Sequence, residues 1–138
     1  MKKFLIIQIR PELDAAESEF AAILREGGLS EGQVTRVHVD REEIKKIEIQ
    51  NYCAIIVGGS PFDVSTKTHL KSDVQLHIES SFATLFEKVI DLDFPFLGIC
   101  SGNGLLGNYC GVSISKKYGE PVGSVEITIE EGGKNDPL

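Results

Sequence analysis

The sequence predicts an α/β domain built on a doubly wound, mostly parallel sheet with helices on both faces. Three observations carry that expectation. Short apolar, β-branched runs alternate along the chain with amphipathic segments of helical period. Two of those runs, residues 54–57 and 94–99, are continuously apolar, as in strands covered on both sides. Each of the two leads into a glycine-containing turn, and the second turn opens a further helical segment.

The elements follow in order. Residues 3–9 are apolar and β-branched, and Pro11 ends that strand. Residues 12–26 place Leu13, Ala16, Phe20, Ile23 and Leu24 on one helical face, with Gly27-Gly28 as a natural stop. Residues 34–39 alternate as a second strand, and 41–50 form a short charged, weakly helical return. Residues 54–57 make a third strand. A long helix over roughly 69–91 carries Leu70, Val74, Ile78, Phe82, Leu85, Phe86 and Val89 at three- and four-residue spacing, a stripe suited to lie on a sheet. Residues 94–99 are a fourth strand, and 100–111 a turn into a helix rich in Gly and Leu. Strands are also expected at 113–115 and 122–129, the second half exposed as at an edge.

The chain of 138 residues suits one domain spanning 1–138, and it is long enough to bury a core. With 14 Lys+Arg against 21 Asp+Glu, the formal net charge is −7, which disfavours a nucleic-acid backbone or an anionic membrane surface as partner. No apolar run approaches the ~20 residues that span a bilayer. The apolar N-terminal run is broken by Gln8 and Arg10 and lacks a small-residue cleavage site, so it reads as a buried strand and not as a signal peptide. Three cysteines, Cys53, Cys100 and Cys110, make an odd count with no C-x-x-C pair. That pattern fits neither a disulfide framework nor a thiolate zinc site, and it points to a reducing, cytoplasmic compartment. Cys53 and Cys110 read as small hydrophobes, and no metal is expected.

Cys100 is different. Gly98-Ile99-Cys100-Ser101-Gly102 lies between a strand and a helix, the context a nucleophile elbow requires. A residue at the tip of so tight a turn is strained, and side chains two before and two after it would strike neighbouring backbone; Gly98 and Gly102 remove those clashes. A helix N-terminus at the sulfur favours an anion, at the sheet edge where open α/β folds bind ligands. The Ser101 N–H is placed to meet an oxyanion, and the Gly58-Gly59 loop offers a second donor.

These segments carry a resemblance. Phe94-Pro95-Phe96-Leu97-Gly98-Ile99-Cys100-Ser101-Gly102-Asn103 resembles the nucleophile segment of class I glutamine amidotransferases, which have a flavodoxin-like fold. Ala54-Ile55-Ile56-Val57-Gly58-Gly59-Ser60-Pro61 is similar to their oxyanion-strand segment, in the pattern of the GMP-synthase-like group. The similarity extends over most of the chain, including the tail at 131–138. It implies that Cys100 attacks the side-chain amide of glutamine to give a γ-glutamyl thioester and ammonia, with the Gly59 and Ser101 N–H groups on the oxyanion. It also implies that Gly58 and Asn103 contact substrate, that no cofactor is needed, and that a synthetase subunit or domain receives the ammonia. Homo-oligomerisation is left open.

Two departures qualify the resemblance. Asn103 stands where the family usually has Gln, which weakens the transfer of a substrate contact. The family's base is a His oriented by a Glu two residues later, and no His follows Cys100 in the 38 residues after it. The chain is therefore expected to be incomplete at its C-terminal side. The available histidines are His38, at the end of the second strand and two places from the strand bearing Cys100, and His69 and His77 near the start of the long helix.

Three alternatives stand beside the glutaminase. A catalytically inactive binding or regulatory module of the same fold would keep the pocket without hydrolysis. A DJ-1/PfpI-like cysteine hydrolase shares the elbow but typically carries His directly after the nucleophile, where this chain has Ser101. A flavodoxin-like cofactor carrier lacks a glycine-rich fingerprint opening its first helix.

Overall fold

The computed structural model describes residues 1–39, 42–115, 117, 119 and 123–136. Four strands, β1 (Lys3–Gln8), β2 (Val34–His38), β3 (Tyr52–Val57) and β4 (Phe96–Gly98), form one parallel sheet in the order β2-β1-β3-β4. Three helices accompany them: α1 (Leu13–Glu26), α2 (Asp73–Asp91) and α3 (Ser101–Tyr109).

The period of two along β1 sorts its side chains between the two faces. Ile6 joins Val34 and Ile56 beneath Ile23, Phe20 and Leu24 of α1. Leu5 and Ile7 join Val37, Ile55 and Val57 on the other face, covered by Ile78, Phe82, Leu85, Phe86 and Val89 of α2 and Leu105 of α3. Phe86 meets the rings of Phe82 at 5.6 Å, Phe96 edge-on at 5.4 Å and Tyr109 at 5.6 Å, so one aromatic ties α2 to β4 and α3. With apolar cover on both faces, the expected doubly wound sheet is present.

The chain order reverses direction between β1 and β3. After β1 it goes to one side to make β2, then crosses to the other side to make β3 and β4. Open sheets of this kind bind ligands outside the carboxyl ends of the strands at such a reversal.

Several expectations are corrected. The long helix starts at Asp73 because the Ser72 side chain accepts from Gln75 N at 3.2 Å; residues Thr68–Leu70 form a separate 3-10 turn, and Leu70 and Val74 are exposed. The return after β2 is two 3-10 turns, Ile44–Lys46 and Ile49–Asn51, whose Ile44 and Ile49 plug the core. No strand forms among the described residues of 113–115 and 123–129; residue 122 lies outside them. Alternation alone does not make a strand without a partner edge, and Val125, Ile127 and Ile129 stay exposed. Cys53 and Cys110, expected as core fillers, are both exposed, one near the start of β3 and one at the end of α3.

Candidate active site

Backbone pairing delivers Cys100 to the sheet edge. Ile55 N donates to Pro95 O and Ile99 N to Val57 O, both at 2.9 Å, so β4 stays in register with β3 up to the residue before the cysteine. There the chain turns sharply. Cys100 has φ 54° and ψ −107°, and α3 begins at the next residue. A positive φ at a non-glycine residue is costly and persists only where the surroundings enforce it.

The surroundings are two glycines. A Cβ at Gly98 would lie 2.5 Å from Asn103 N and 2.5 Å from Gly102 C, and one at Gly102 would lie 2.6 Å from Val57 O. The close approach of β3, β4 and the first turn of α3 therefore requires hydrogen at both positions. The thiol is solvent-exposed and lines an open cleft of about 300 Å³ together with Ser60, Phe62, Asp63, Val64 and Gly104.

The loop after β3 is stapled to this turn. Ser60 N and Ser60 Oγ both donate to Ser101 Oγ, at 3.0 and 2.9 Å, and Ser60 Oγ accepts from Phe62 N at 3.2 Å. Asp63 Oδ1 accepts from Ser65 N at 2.8 Å and Ser65 Oγ at 2.6 Å, which rounds the cleft wall. Gln75 Nε2 of α2 donates to Asp63 O at 3.0 Å and so pins that wall to the helix.

The residues singled out from sequence fall into two groups. Cys100 and Ser101 share the cleft, and Gly98 and Gly102 shape the turn beneath it. Gly58, Gly59 and Asn103 are not among the residues lining the cleft. Asn103 is exposed on the first turn of α3. The Gly59 N–H donates to Glu19 Oε1 at 2.8 Å.

Glu19 belongs to a polar set that sequence reading missed. Its Oε1 also accepts from Arg10 Nε at 3.1 Å, and its Oε2 accepts from Gln8 Nε2 at 3.1 Å. Gln8 is wholly buried; its Nε2 also reaches Ala16 O at 2.7 Å, and its Oε1 accepts from Arg36 Nε. Arg36 stacks over Phe20, 4.4 Å from the ring centroid, and bonds Glu17 at 2.7 Å. A signal existed. Glu19 lies three after Ala16 and four before Ile23, squarely on the apolar stripe of α1, and Gln8 continues the inward alternation of Ile6.

No histidine reaches the cleft. His38 ends β2, and both β1 and β3 lie between β2 and β4, one strand more than expected. His69 and His77 are exposed, the former in the 3-10 turn before α2. Among the described residues no group of three His, Cys, Asp or Glu side chains is arranged to hold a metal ion. No helix among them is long and apolar enough to cross a membrane.

A parallel sheet with helices on both faces, and a cysteine at positive φ between its last strand and a helix, defines an α/β protein. The sequence model of the family described as glutamine amidotransferase class-I matches residues 13–137, and the chain belongs to that family. It is 33% identical over 89 residues to the GMP synthase [glutamine-hydrolyzing] of Bacillus subtilis (strain 168), covering 64% of this chain and 14% of that protein. The GMP synthase [glutamine-hydrolyzing] of Borrelia garinii subsp. bavariensis is 30% identical over 99 residues, 72% of this chain and 16% of that protein. The matches thus span about one-seventh of these relatives' length. A crystal structure of a glutamine amido transferase from Methylobacillus flagellatus shares the fold, with a TM-score of 0.55 at 19% identity over 80% of this chain and 39% of that one.

Proposed function

We propose that this chain is a glutaminase domain, GMP-synthase-like in kind, that uses Cys100 to release ammonia from glutamine for a synthetase subunit or domain. The observation that carries the reading is the exposed Cys100 held at φ 54° between a strand and a helix, with Gly98 and Gly102 making room for it. In this reading a sulfur lone pair attacks the side-chain carboxamide carbon. The C=O π pair moves to oxygen, and that oxyanion faces the Ser101 N–H at the start of α3. Collapse breaks the C–N bond, the nitrogen leaves as ammonia with the thiol's proton, and a γ-glutamyl thioester remains. Water then adds to the thioester, the C–S bond breaks, and glutamate and the thiol are restored.

The reading assigns Ser101 and Gly59 as oxyanion donors, Gly98 and Gly102 as the elbow, and Gly58 and Asn103 as substrate contacts. It assigns no proton acceptor to His38, His69 or His77, none of which lines the cleft. Family membership supports the activity class; the relatives' names support a GMP-synthase-like partner. The test is incubation with glutamine and measurement of glutamate, alongside alkylation by a glutamine-like chloroketone located by peptide mass spectrometry. Label on Cys100, lost in Cys100→Ala, is the expected result; absence of label on Cys100 overturns the reading.

A second reading, an inactive binding module of the same fold, is favoured by the bond from Gly59 N–H to Glu19 and by the distant histidines. Saturable glutamine binding without labelling of Cys100 would select it.

A further inference from the structure

We infer that Glu19 is a positioning residue that controls whether the Gly59 amide is available to the reacting carbonyl, an inference that rests on the glutaminase reading. Glu19 sits on α1, 40 residues from Gly59 in sequence, yet its Oε1 takes the Gly59 N–H at 2.8 Å. The carboxylate is itself fixed by Arg10 Nε at 3.1 Å and Gln8 Nε2 at 3.1 Å, and its side chain is only 15% exposed. It lies so close beneath the loop that a Cβ at Gly58 would be 2.3 Å from Oε2, and one at Gly59 would be 2.7 Å from an Arg10 guanidinium nitrogen. Hydrogen at both glycines is what lets this charged pair approach the backbone.

One N–H aimed at one carboxylate oxygen does not also serve a second anion. An oxyanion forming over Cys100 would compete with Glu19 for that hydrogen and would feel its negative charge. With Glu19 in place the Ser101 N–H is the remaining donor of the two, and losing one oxyanion donor costs roughly 10²–10³ in rate. The Ser60 to Ser101 bonds keep the loop beside the elbow, so the amide needs reorientation and not transport. Glu19 thereby sets the direction of the Gly59 peptide, and Arg10 and Gln8 hold Glu19 in that role.

The test compares two reagents on Cys100 in the full chain. A glutamine-like chloroketone presents a carbonyl oxygen to the donors, whereas N-ethylmaleimide reports thiol exposure alone. Glu19→Ala is expected to raise the chloroketone rate at least tenfold with the maleimide rate unchanged, and Glu19→Gln, which preserves shape and offers a weaker acceptor, to raise it by a smaller factor. Asp14→Ala, an exposed acid in the first turn of the same helix, should change neither. Equal or slower chloroketone labelling in folded Glu19→Gln and Glu19→Ala overturns the inference and leaves the glutaminase reading standing. Maleimide labelling with no chloroketone labelling in any variant overturns both.

Discussion

Ser60 and Ser101, 41 residues apart, are joined twice, by the Ser60 N–H and the Ser60 hydroxyl, on one side-chain oxygen of Ser101. The loop leaving β3 and the first turn of α3 therefore move as one piece. Ser101 is buried, so its hydroxyl is not exchanged for water without cost. Ser101→Ala keeps the residue's own N–H but strands the Ser60 N–H and leaves the Ser60 hydroxyl only Phe62 O, at 3.3 Å, as acceptor. It should lower stability by about 1–2 kcal/mol, as read by urea denaturation. In the proposed glutaminase reading, labelling of Cys100 should slow but persist, because the backbone N–H of residue 101 remains; a stability unchanged within error would show that the staple contributes nothing.

The two glycines flanking the cysteine face backbone, which does not yield. Gly98→Ala puts a methyl 2.5 Å from Asn103 N, and Gly102→Ala puts one 2.6 Å from Val57 O. Each should cost more than about 2 kcal/mol. Gly32→Ala, with nothing within 4 Å, should fall within about 0.5 kcal/mol of the parent. Thermal unfolding of the three variants side by side measures the difference, and similar melting points for all of them would refute the steric account.

Strain at Cys100 separates stability from reactivity. Both Cys100→Ala and Cys100→Gly remove the sulfur, but only glycine tolerates φ 54° with ψ −107° freely. Relief of about 1–3 kcal/mol of strain, less the ~0.5–1 kcal/mol that glycine loses to chain entropy, should leave Cys100→Gly about 1 kcal/mol more stable than Cys100→Ala. Equal midpoints in denaturant would mean that the turn is unstrained.

Helix α2, whose Gln75 pins the cleft wall, also carries one partner of a buried ion pair. Lys71 Nζ meets both Glu79 oxygens, at 2.8 and 2.7 Å, with side chains only 5% and 17% exposed. Removing one partner leaves a charge without its counterion, so Lys71→Met should cost about 3 kcal/mol, moderated by the Gln75 amide that stays on Glu79 at 3.0 Å. Adding Glu79→Leu should recover part of that loss. A double-mutant cycle with no coupling would show the pair to be incidental.

The elements read from the sequence were those whose signal is local. The continuous apolar run at β3, the stripe from Ile78 to Val89 and the glycine pattern around Cys100 each follow from a repeat or a turn within a few residues. Stripe positions Leu70 and Val74 failed at the boundary, where the Ser72 cap, a choice between helix and turn, started α2 later. The alternation at 123–129 failed because pairing belongs to two strands, and one strand's pattern does not name its partner.

Order along the chain was enough to determine an alternating α/β domain, a cysteine at a strand-to-helix turn and the two glycines that the turn demands. Only the tertiary structure decided that Glu19 meets Gly59, that Ser60 meets Ser101 and that His38 stands across two strands from Cys100. The reason is physical. Backbone strain and periodicity act between neighbours, whereas a hydrogen bond across 40 residues exists only once the sheet order has brought the carboxyl ends of β1 and β3 side by side.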